Sequence, residues 1–376
     1  MKRFVKILII ALVIFSLFVL PLQAAGTIKI GGIFPITGPV ATFGISCANG
    51  AKMAVEEANA KGGVLGSKIE LIIEDDQYKL EEAANAAKKL IERDKVVAIV
   101  GGVTSSEALT IGPIAQSSKV VLVTGTATNP KVTQVGDFIF RVCFLDDFQG
   151  EVMANFAYKN LKAKTAAVLT AVTSDYSKGL ADAFKKKFAA LGGKIVADES
   201  YSEGDTDFRA QLTKIKALKP DFVFVPGYYS DVAPILNQAR ELGITVPFGG
   251  GDGWDSPELL KQAAKAAEGC FYSNHFTPDA KDLLVQTFVK NYTKKYGMAP
   301  DALAALKYDA MKFLLEGIKK AGSADPVKIK EALASMKTFR GVTGSMTFDA
   351  NRNPIKSAFI LQIKDGKVVY YTTVKP

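Results

Sequence analysis

The feature that most constrains the fold of this chain is a regular alternation of short apolar strands with longer amphipathic helical segments. The apolar run Val96–Val100, bounded by Gly101-Gly102, is typical of a strand buried on both faces of a sheet. Long helical segments between such strands predict parallel sheets covered by helices on both faces. In the first part of the chain the predicted strands cover residues 27–34, 68–74, 96–100 and 120–124, and the helices 44–60, 80–93 and 105–118.

The alternation starts again after Arg141, which predicts a second unit. Its predicted strands cover residues 165–171, 194–196, 221–225 and 245–248, and its helices 148–160, 177–191, 208–218 and 231–242. Three helical patterns follow between Asp279 and Met336, then a strand-like segment over 341–348 and a hairpin around Asp365-Gly366. This tail is too short for a third domain, so we expect it to complete both units. The predicted fold class is α/β, with two doubly wound lobes and several chain crossings.

Residues 1–25 have the layout of a secretory signal peptide, with a basic head, an apolar run and small residues. A membrane-spanning helix needs about 20 apolar residues, and the run Ile7–Leu20 has only about 14. A cleaved signal is therefore favoured over an anchor, with cleavage near residues 24–26. The mature protein is expected to be soluble, exported and periplasmic.

Composition argues against several partners. The formal net charge is +9, but the basic residues are scattered, and the densest cluster, Lys185-Lys186-Lys187, lies on a helical pattern. A solvated helix face explains that cluster better than nucleic-acid binding does. Three cysteines lie far apart and His275 is the single histidine, so we predict no metal site and no cofactor.

The sequence also lacks the motifs of common enzymes. It has no G-x-S-x-G elbow, Walker loop or H-E-x-x-H motif, and one histidine leaves no evident nucleophile–base pair. Gly249–Gly253 does not have the spacing of a dinucleotide-binding loop. No catalytic residue is predicted, and an exported hydrolase is a disfavoured alternative.

Small polar residues and tyrosines follow several of the buried strands. Ligands of open α/β sheets bind beyond the carboxyl ends of the strands, so we expect these residues to share one site. Hydroxyl donors, aromatic walls and one carboxylate suit a small zwitterion. Helix capping is the alternative explanation for each Ser or Thr. The candidates are Thr104-Ser105-Ser106, Thr124–Asn129, Tyr176, Tyr228-Tyr229 and Asp252.

Five stretches, in this order and spacing, resemble the periplasmic solute-binding proteins of ABC importers for leucine, isoleucine and valine. They are Ile33–Gly44, Asn49–Ala54, Asn59–Gly63, Gly125–Pro130 and Phe148-Gln-Gly150. The resemblance covers essentially the whole mature chain. It implies a type I periplasmic-binding-protein fold, in which two Rossmann-like lobes joined by three crossings close over an amino acid. It also implies a monomer with a membrane permease as its partner.

The resemblance gives each candidate residue a role. Ser105 matches a serine at a helix N-terminus that receives the ligand carboxylate, and Ala127 and Thr128 match the pair that completes the carboxylate and ammonium site. Asp252 takes the position of an acidic residue, often Glu, that pairs with the ligand ammonium. The predicted ligand-binding residues are Phe43 in the side-chain pocket, Ser105, Thr126, Ala127, Thr128, the aromatic residues Tyr176 and Tyr228 that close on the ligand, and Asp252.

The switches in the sequence pattern suggest where the lobes begin and end. The first lobe is predicted to contain residues 26–146 and 276–349, and the second lobe residues 147–275 and 350–376. Hinges are expected near residues 144–148, 274–277 and 347–355.

Departures from the family pattern leave the ligand side chain open. Asp252 is one methylene shorter than Glu, and only small residues surround Ala302, where relatives can have an aromatic. The cysteines that pair in some relatives are replaced here, around Asp76 and Thr104. Separately, Cys47 and Cys143 are expected to be either both free or joined to each other, with Cys270 left over. A sensing module of the same fold, for another small amino acid, an amide or an aromatic acid, is the alternative function.

Overall fold

A computed structural model describes residues 26–376, and the predicted signal peptide lies outside this range. The unit that we call the first lobe is built on five parallel strands in the order β2-β1-β3-β4-β5. These strands are β1 (Thr27–Phe34), β2 (Lys68–Asp75), β3 (Ala98–Gly101), β4 (Val121–Thr124) and β5 (Ile139–Arg141). The helices between them are α1 (Ala41–Ala60), α2 (Leu80–Lys88, continuing as a π-helical turn to Arg93), α3 (Ser105–Ser117) and α4 (Lys131–Gln134).

Different helices cover the two faces of this sheet because alternate residues of a strand point to opposite sides. Ile99 of β3 belongs to an apolar cluster with Ala87 of α2 and Ile111 of α3. Its neighbour Val100 belongs to the larger core that contains α1. Both residues are fully buried, as predicted for a strand covered on both faces.

The second lobe is built on a seven-stranded sheet in the order β15-β14-β10-β9-β8-β6-β7. Its parallel part consists of β6 (Thr165–Ala171), β7 (Lys194–Tyr201), β8 (Phe222–Phe224), β9 (Phe248–Gly250) and β10 (Phe271–Asn274). The antiparallel strands β14 (Ala358–Lys364) and β15 (Lys367–Val374) form the predicted hairpin. Its helices are α5 (Asp146–Asn155, continuing as a π-helical turn to Asn160), α6 (Asp175–Ala190), α7 (Arg209–Leu218), α8 (Tyr229–Glu241) and α9 (Pro257–Ala263).

The chain passes between the lobes three times. The first crossing joins β5 to α5, and the second follows β10. The second leads to α10 (Leu283–Tyr296), α11 (Ala302–Ala321) and α12 (Pro326–Ser335), of which α11 packs on α1 in the first lobe. A small sheet of β11 (Thr338–Gly341), β12 (Gly344–Phe348) and β13 (Pro354–Ile355) precedes the third crossing, which enters β14 at Ala358.

Some element boundaries differ from the sequence-based prediction. The strand predicted over 245–248 lies further along the chain, at Phe248–Gly250 (β9). Its pairing with β8 begins only at Phe248, because the preceding residue, Pro247, has no N–H to donate. The strand predicted over 194–196 extends to Tyr201 because it pairs along the whole of β6. The segment 341–348 contains a turn, with Gly344 at a φ of 105°, that pairs β11 with β12. The short elements β5 and α4 were not predicted.

In each lobe the strand order reverses beside the first strand of its parallel run. In the first lobe β1 lies between β2 and β3, and in the second β6 lies between β7 and β8. Helices leave the sheet on opposite sides of such a reversal, which opens a crevice at the carboxyl ends of the strands. Most predicted site residues follow carboxyl ends of strands in these sheets: Ser105 follows β3, Thr126, Ala127 and Thr128 follow β4, Tyr176 follows β6, Tyr228 follows β8 and Asp252 follows β9, while Phe43 lies in α1 after β1.

Candidate functional site

The N-terminus of α3 forms one side of the site. Thr104 caps this helix: its Oγ1 accepts a hydrogen bond from the Glu107 amide at 3.4 Å, and the Glu107 carboxylate accepts one from the Thr104 amide at 2.8 Å. Ser105 is the first helical residue, and its buried Oγ accepts from the Asn129 amide at 3.2 Å. Capping therefore explains Thr104, whereas Ser105 joins the helix end to the loop after β4.

The two threonines of the loop after β4 have different surroundings. The Thr126 hydroxyl donates to the Val103 carbonyl at 2.6 Å and so ties this loop to the one after β3. The Thr128 hydroxyl is buried and has no hydrogen-bond partner among residues 26–376. Thr126 has already donated its hydroxyl proton, so of the two hydroxyls that of Thr128, beside the Asp146 carboxyl group, is the one with a proton left to donate to a ligand.

The backbone of Ala127 is already bonded within the first lobe. Its amide donates to Thr124 Oγ1 at 3.2 Å, and its carbonyl accepts from the buried Arg141 guanidinium at 3.0 Å. What Ala127 presents beyond these bonds is its methyl group.

Three of the predicted aromatic residues meet between the lobes. The rings of Tyr176 and Tyr228 stack with centroids 5.0 Å apart, and Phe43 of the first lobe packs edge-on against Tyr228 at 5.8 Å. Tyr78, which the sequence analysis did not single out, also packs edge-on against Tyr228, at 6.2 Å. All but Tyr78 are almost completely buried. The arrangement gives a wall of aromatic rings to which both lobes contribute.

Asp252 lies beyond β9, between two glycine positions that leave little room for a side chain. A Cβ at Gly251 would lie 2.4 Å from the Tyr176 hydroxyl, and one at Gly253 would lie 2.7 Å from the Gly227 carbonyl oxygen. The Gly253 amide donates to the Tyr176 hydroxyl at 3.1 Å. The cap of α9 is Ser256, whose Oγ accepts from the Glu258 amide at 3.2 Å, so helix capping does not account for Asp252.

Both carboxylate oxygens of Asp252 accept hydrogen bonds from side chains that the sequence-based prediction missed. Gln149 Nε2 is 3.1 Å from Oδ1, and His275 Nε2 is 2.9 Å from Oδ2. The Ser273 hydroxyl donates to Gln149 Oε1 at 3.0 Å. We call Gln149, Asp252, Ser273 and His275 the second-lobe cluster. Of this cluster the sequence analysis predicted Asp252, and the stretch Phe148-Gln-Gly150 was the one feature that pointed to another member as part of the site.

Asp146 connects the second-lobe cluster to the loop after β4. Its Oδ1 accepts from Gln149 Nε2 at 2.8 Å, and its amide donates to the Thr128 carbonyl at 3.1 Å. Burial raises the pKa of Asp146 to about 8, and the charge of Asp252 acts in the same direction. The structure thus brings Ser105, Thr128 and Asp252 into one continuous polar network.

A second group of buried polar residues lies beneath the first-lobe side of the site. Asp76 follows β2, Glu107 is in α3 and Lys307 is in α11, and all three are completely buried. We call them the first-lobe cluster. One polar atom of each, Asp76 Oδ2, Glu107 Oε1 and Lys307 Nζ, has no hydrogen-bond partner in the described part of the chain. Burial raises the pKa of Asp76 to about 6 and that of Glu107 to about 8, and burial lowers the pKa of Lys307.

The lobes are closed, and hydrogen bonds join them around the site. The Tyr78 hydroxyl donates to Glu203 Oε1 at 2.7 Å, and the Tyr229 hydroxyl donates to the Pro39 carbonyl at 3.3 Å. Ser106 Oγ lies 3.2 Å from Asp175 Oδ2. Each of these bonds needs the two lobes in their present orientation.

The three cysteines are free and buried, so Cys47 and Cys143 are not joined. Cys47 Sγ contacts the Leu303 carbonyl, and Cys143 Sγ contacts that of Ala127. Across residues 26–376, no three His, Cys, Asp or Glu side chains are grouped so that they could hold a metal ion. No helix in this range is long and apolar enough to cross a membrane.

Comparisons with solved structures agree with this architecture. A leucine-binding protein from Thermotoga maritima is 43% identical, with a TM-score of 0.90, over 93% of this chain and 99% of that chain. A branched-chain amino acid transporter substrate-binding protein from Streptococcus pneumoniae, in complex with isoleucine, is 38% identical, with a TM-score of 0.88, over 93% of this chain and 100% of that chain.

Sequence comparisons lead to the same family. A leucine-, isoleucine-, valine-, threonine- and alanine-binding protein from Pseudomonas aeruginosa is 36% identical over 332 residues, which are 87% of each chain. The family model described as periplasmic binding protein matches residues 27–367. The predicted two-lobed α/β fold is therefore confirmed, and this chain belongs to the periplasmic binding protein family.

Proposed function

We propose that this protein is an extracytoplasmic solute-binding protein of an ABC importer that binds an amino acid, leucine, isoleucine or valine, between its lobes. The observation that carries the proposal is the network joining Ser105 and Thr128 of the first lobe to Asp252 of the second. One side offers a helix N-terminus and hydroxyls, and the other offers a carboxylate. An amino acid carries the two complementary charges on adjacent atoms.

The ligand carboxylate would bind at the N-terminus of α3. The first N–H groups of a helix have no partner within it and lie at the positive end of the helix dipole, so they favour an anion. Ser105 is at this end, and Thr128 lies one residue before Asn129, whose amide binds the Ser105 hydroxyl. Each charge-assisted hydrogen bond contributes about 1.5–3 kcal/mol.

The ligand ammonium would pair with Asp252, and the ligand side chain would lie against the aromatic wall. Phe43, Tyr176 and Tyr228 offer ring surfaces from both lobes, and such surfaces favour an aliphatic group. The methyl of Ala127 and the hydroxyl of Thr126 belong to the same proposed site. Relatives that bind leucine or isoleucine support this assignment.

Closure would couple binding to transport. Contacts from both lobes are complete only in the closed form, so a ligand shifts the population toward that form. We propose that a membrane permease recognises the closed monomer in the periplasm after the segment 1–25 is removed, and that the protein performs no chemistry on its ligand. The proposed lobe boundaries are 26–146 with 276–349, and 147–275 with 350–376. The pairing of β13 with β12 favours moving the last of these boundaries to between Ile355 and Ala358.

Titration calorimetry against the common amino acids, sugars and short amides tests the proposal. We expect tight binding of leucine, isoleucine or valine, and recovery of unaltered ligand when the complex is denatured and analysed by mass spectrometry. Binding of a sugar with no response to any amino acid would overturn it. Stimulation of a permease's ATPase by the liganded protein would distinguish transport from sensing.

A further inference from the structure

The carboxylate of Asp252 is held on both oxygens before any ligand group is considered. Gln149 Nε2 approaches Oδ1 at 3.1 Å, and His275 Nε2 approaches Oδ2 at 2.9 Å. Gln149 is itself fixed, because its Oε1 accepts from the Asp252 amide at 3.3 Å and from Ser273 Oγ at 3.0 Å. The direction in which the remaining lone pairs of Asp252 point is therefore set by its neighbours.

His275 is the neighbour that connects this carboxylate to the hinge. It is the first residue after β10, at the start of the second crossing, and is completely buried. Its ring stacks on Phe144 of the first crossing, with centroids 3.5 Å apart and an interplanar angle of 22°. The position of the imidazole thus depends on how the first and second crossings pack together.

The hydrogen bond has a defined polarity. Burial lowers the pKa of His275, although the neighbouring Asp252 carboxylate opposes this shift, so the ring is neutral near pH 7. A carboxylate only accepts, so the Nε2–H of the neutral ring donates to Oδ2. This assignment places the acceptor nitrogen at Nδ1, which has no partner among the described residues.

We propose that His275 is a positioning residue, which holds the Asp252 carboxylate toward the ligand ammonium and ties its orientation to the packing of the first two crossings. The inference rests on the proposed function and deepens it. Asp has one methylene fewer than Glu, so its carboxylate reaches less far, and a fixed orientation matters correspondingly more.

The proposal predicts a proton linkage. Protonated His275 would compete with the ligand ammonium for Asp252, so amino-acid binding favours neutral His275 and affinity falls at acid pH. Other titratable groups lie around the hinge. They are Asp146 and Cys143 near the first crossing, Asp255 in the loop that also contains Asp252, and Lys356 on the third crossing. Asp146, with a pKa of about 8, gains a negative charge near that pH. This charge attracts the ligand ammonium and would add a separate rise in affinity, which Asp146→Asn removes.

The test compares leucine affinity, by calorimetry from pH 5 to 9, among four folded proteins. His275→Phe keeps a ring beside Phe144 but has no donor, and we expect it to weaken binding about tenfold or more at pH 7 and to lose the acid-side fall. Phe144→Leu keeps the donor, so it should weaken binding less and retain the acid-side fall. Phe148→Leu is the control. The Phe148 ring packs edge-on against Phe144, with centroids 5.7 Å apart, and does not stack on His275, so the affinity of this variant should match the wild type.

A fourth variant, and fifth protein, protects the test against misfolding. His275→Gln has an amide donor that does not titrate, so it should bind leucine more tightly than His275→Phe at pH 7 and show no acid-side fall due to residue 275. Wild-type affinity and pH dependence in both His275 variants would overturn the inference while leaving the proposed function intact. Failure of the wild type to bind any amino acid would instead overturn the proposed function.

Discussion

The first-lobe and second-lobe clusters are equally buried but differ in how fully their hydrogen bonds are made. In the second-lobe cluster both oxygens of Asp252 have donors and Gln149 bonds at both ends, so His275 Nδ1 is the one side-chain polar atom of this cluster without a partner within residues 26–376. In the first-lobe cluster Asp76, Glu107 and Lys307 each leave one polar atom without a partner within residues 26–376. Hydrogen bonds to both carboxylate oxygens fix the geometry of Asp252, whereas charged groups that are buried without partners respond by shifting their proton equilibria. We therefore expect the second-lobe cluster to orient the Asp252 carboxylate toward the ligand, and the first-lobe cluster to affect the pH dependence of stability.

The largest expected effect comes from removing the charge of the second-lobe cluster. Asp252→Asn would leave a buried ligand ammonium without its anionic partner, which costs about 3–5 kcal/mol. Leucine affinity should therefore fall by two or more orders of magnitude, at about 1.4 kcal/mol per tenfold. Calorimetry measures this directly. The melting temperature of the unliganded protein should change little, because the Asn oxygen can still accept from Gln149 and the Asn N–H can donate to His275 Nε2 once the ring proton moves to Nδ1.

Asp221→Asn is the matched control for that variant. Asp221 precedes β8 and accepts hydrogen bonds from the amides of Lys164 and Thr165, at the edge of the sheet opposite to Asp252. It should alter stability and leave affinity unchanged. Equal affinities for Asp252→Asn and wild type would remove Asp252 from the site.

The next effect concerns the first-lobe cluster and pH. The pKa of Glu107 in the folded protein is about 8, against an ordinary value of 4.5, so between these values the folded state binds more protons than the unfolded state. The free energy of unfolding contributed by Glu107 is therefore greatest below pH 4.5 and falls as pH rises to about 8. Glu107→Gln keeps an acceptor for the Thr104 amide and removes this slope.

Denaturant unfolding at pH 5 and pH 8 checks the prediction. The variant should gain about 2 kcal/mol or more relative to wild type between these pH values, at about 1.4 kcal/mol per pKa unit. Glu241→Gln, an exposed residue paired with Arg209, serves as the control and should show no such gain. Parallel slopes for Glu107→Gln and wild type would mean that this carboxyl titrates normally.

A smaller effect is expected where the lobes meet. Tyr78→Phe removes the hydrogen bond to Glu203 and keeps the ring against Tyr228. The closed form should lose about 1–1.5 kcal/mol, which lowers leucine affinity up to about tenfold and raises the radius of gyration of the partly saturated protein in solution scattering. An unchanged affinity would show that this bond does not contribute to closure.

The smallest expected effect is on the thiols beside the clusters. Burial raises the pKa of Cys47 to about 12 and that of Cys143 to about 11, although a nearby cation opposes each shift. A thiol reagent should label neither in the native protein, and it should count three free thiols after denaturation without reductant. A count of one would indicate the Cys47–Cys143 bond that the structure lacks.

Sequence reasoning predicted the order of strands and helices well, because buried parallel strands and their crossover helices leave strong local patterns. It also predicted the residues at strand ends, since topology alone brings those ends together. It missed Gln149, Asp146 and Lys307, whose roles depend on contacts between residues more than one hundred positions apart or between separate elements. Neither cluster has a local pattern, so only the folded chain shows which polar atoms meet.

The placement of the outermost strands has a practical consequence. β1 begins at Thr27 in the first lobe, and β15 ends at Val374 on the free edge of the second-lobe sheet. A fluorescent donor before β1 and an acceptor after β15 would therefore sit on the two lobes that the proposed closure brings together, with no insertion into either core. Their energy-transfer efficiency would turn the hinge into an optical readout of amino-acid concentration.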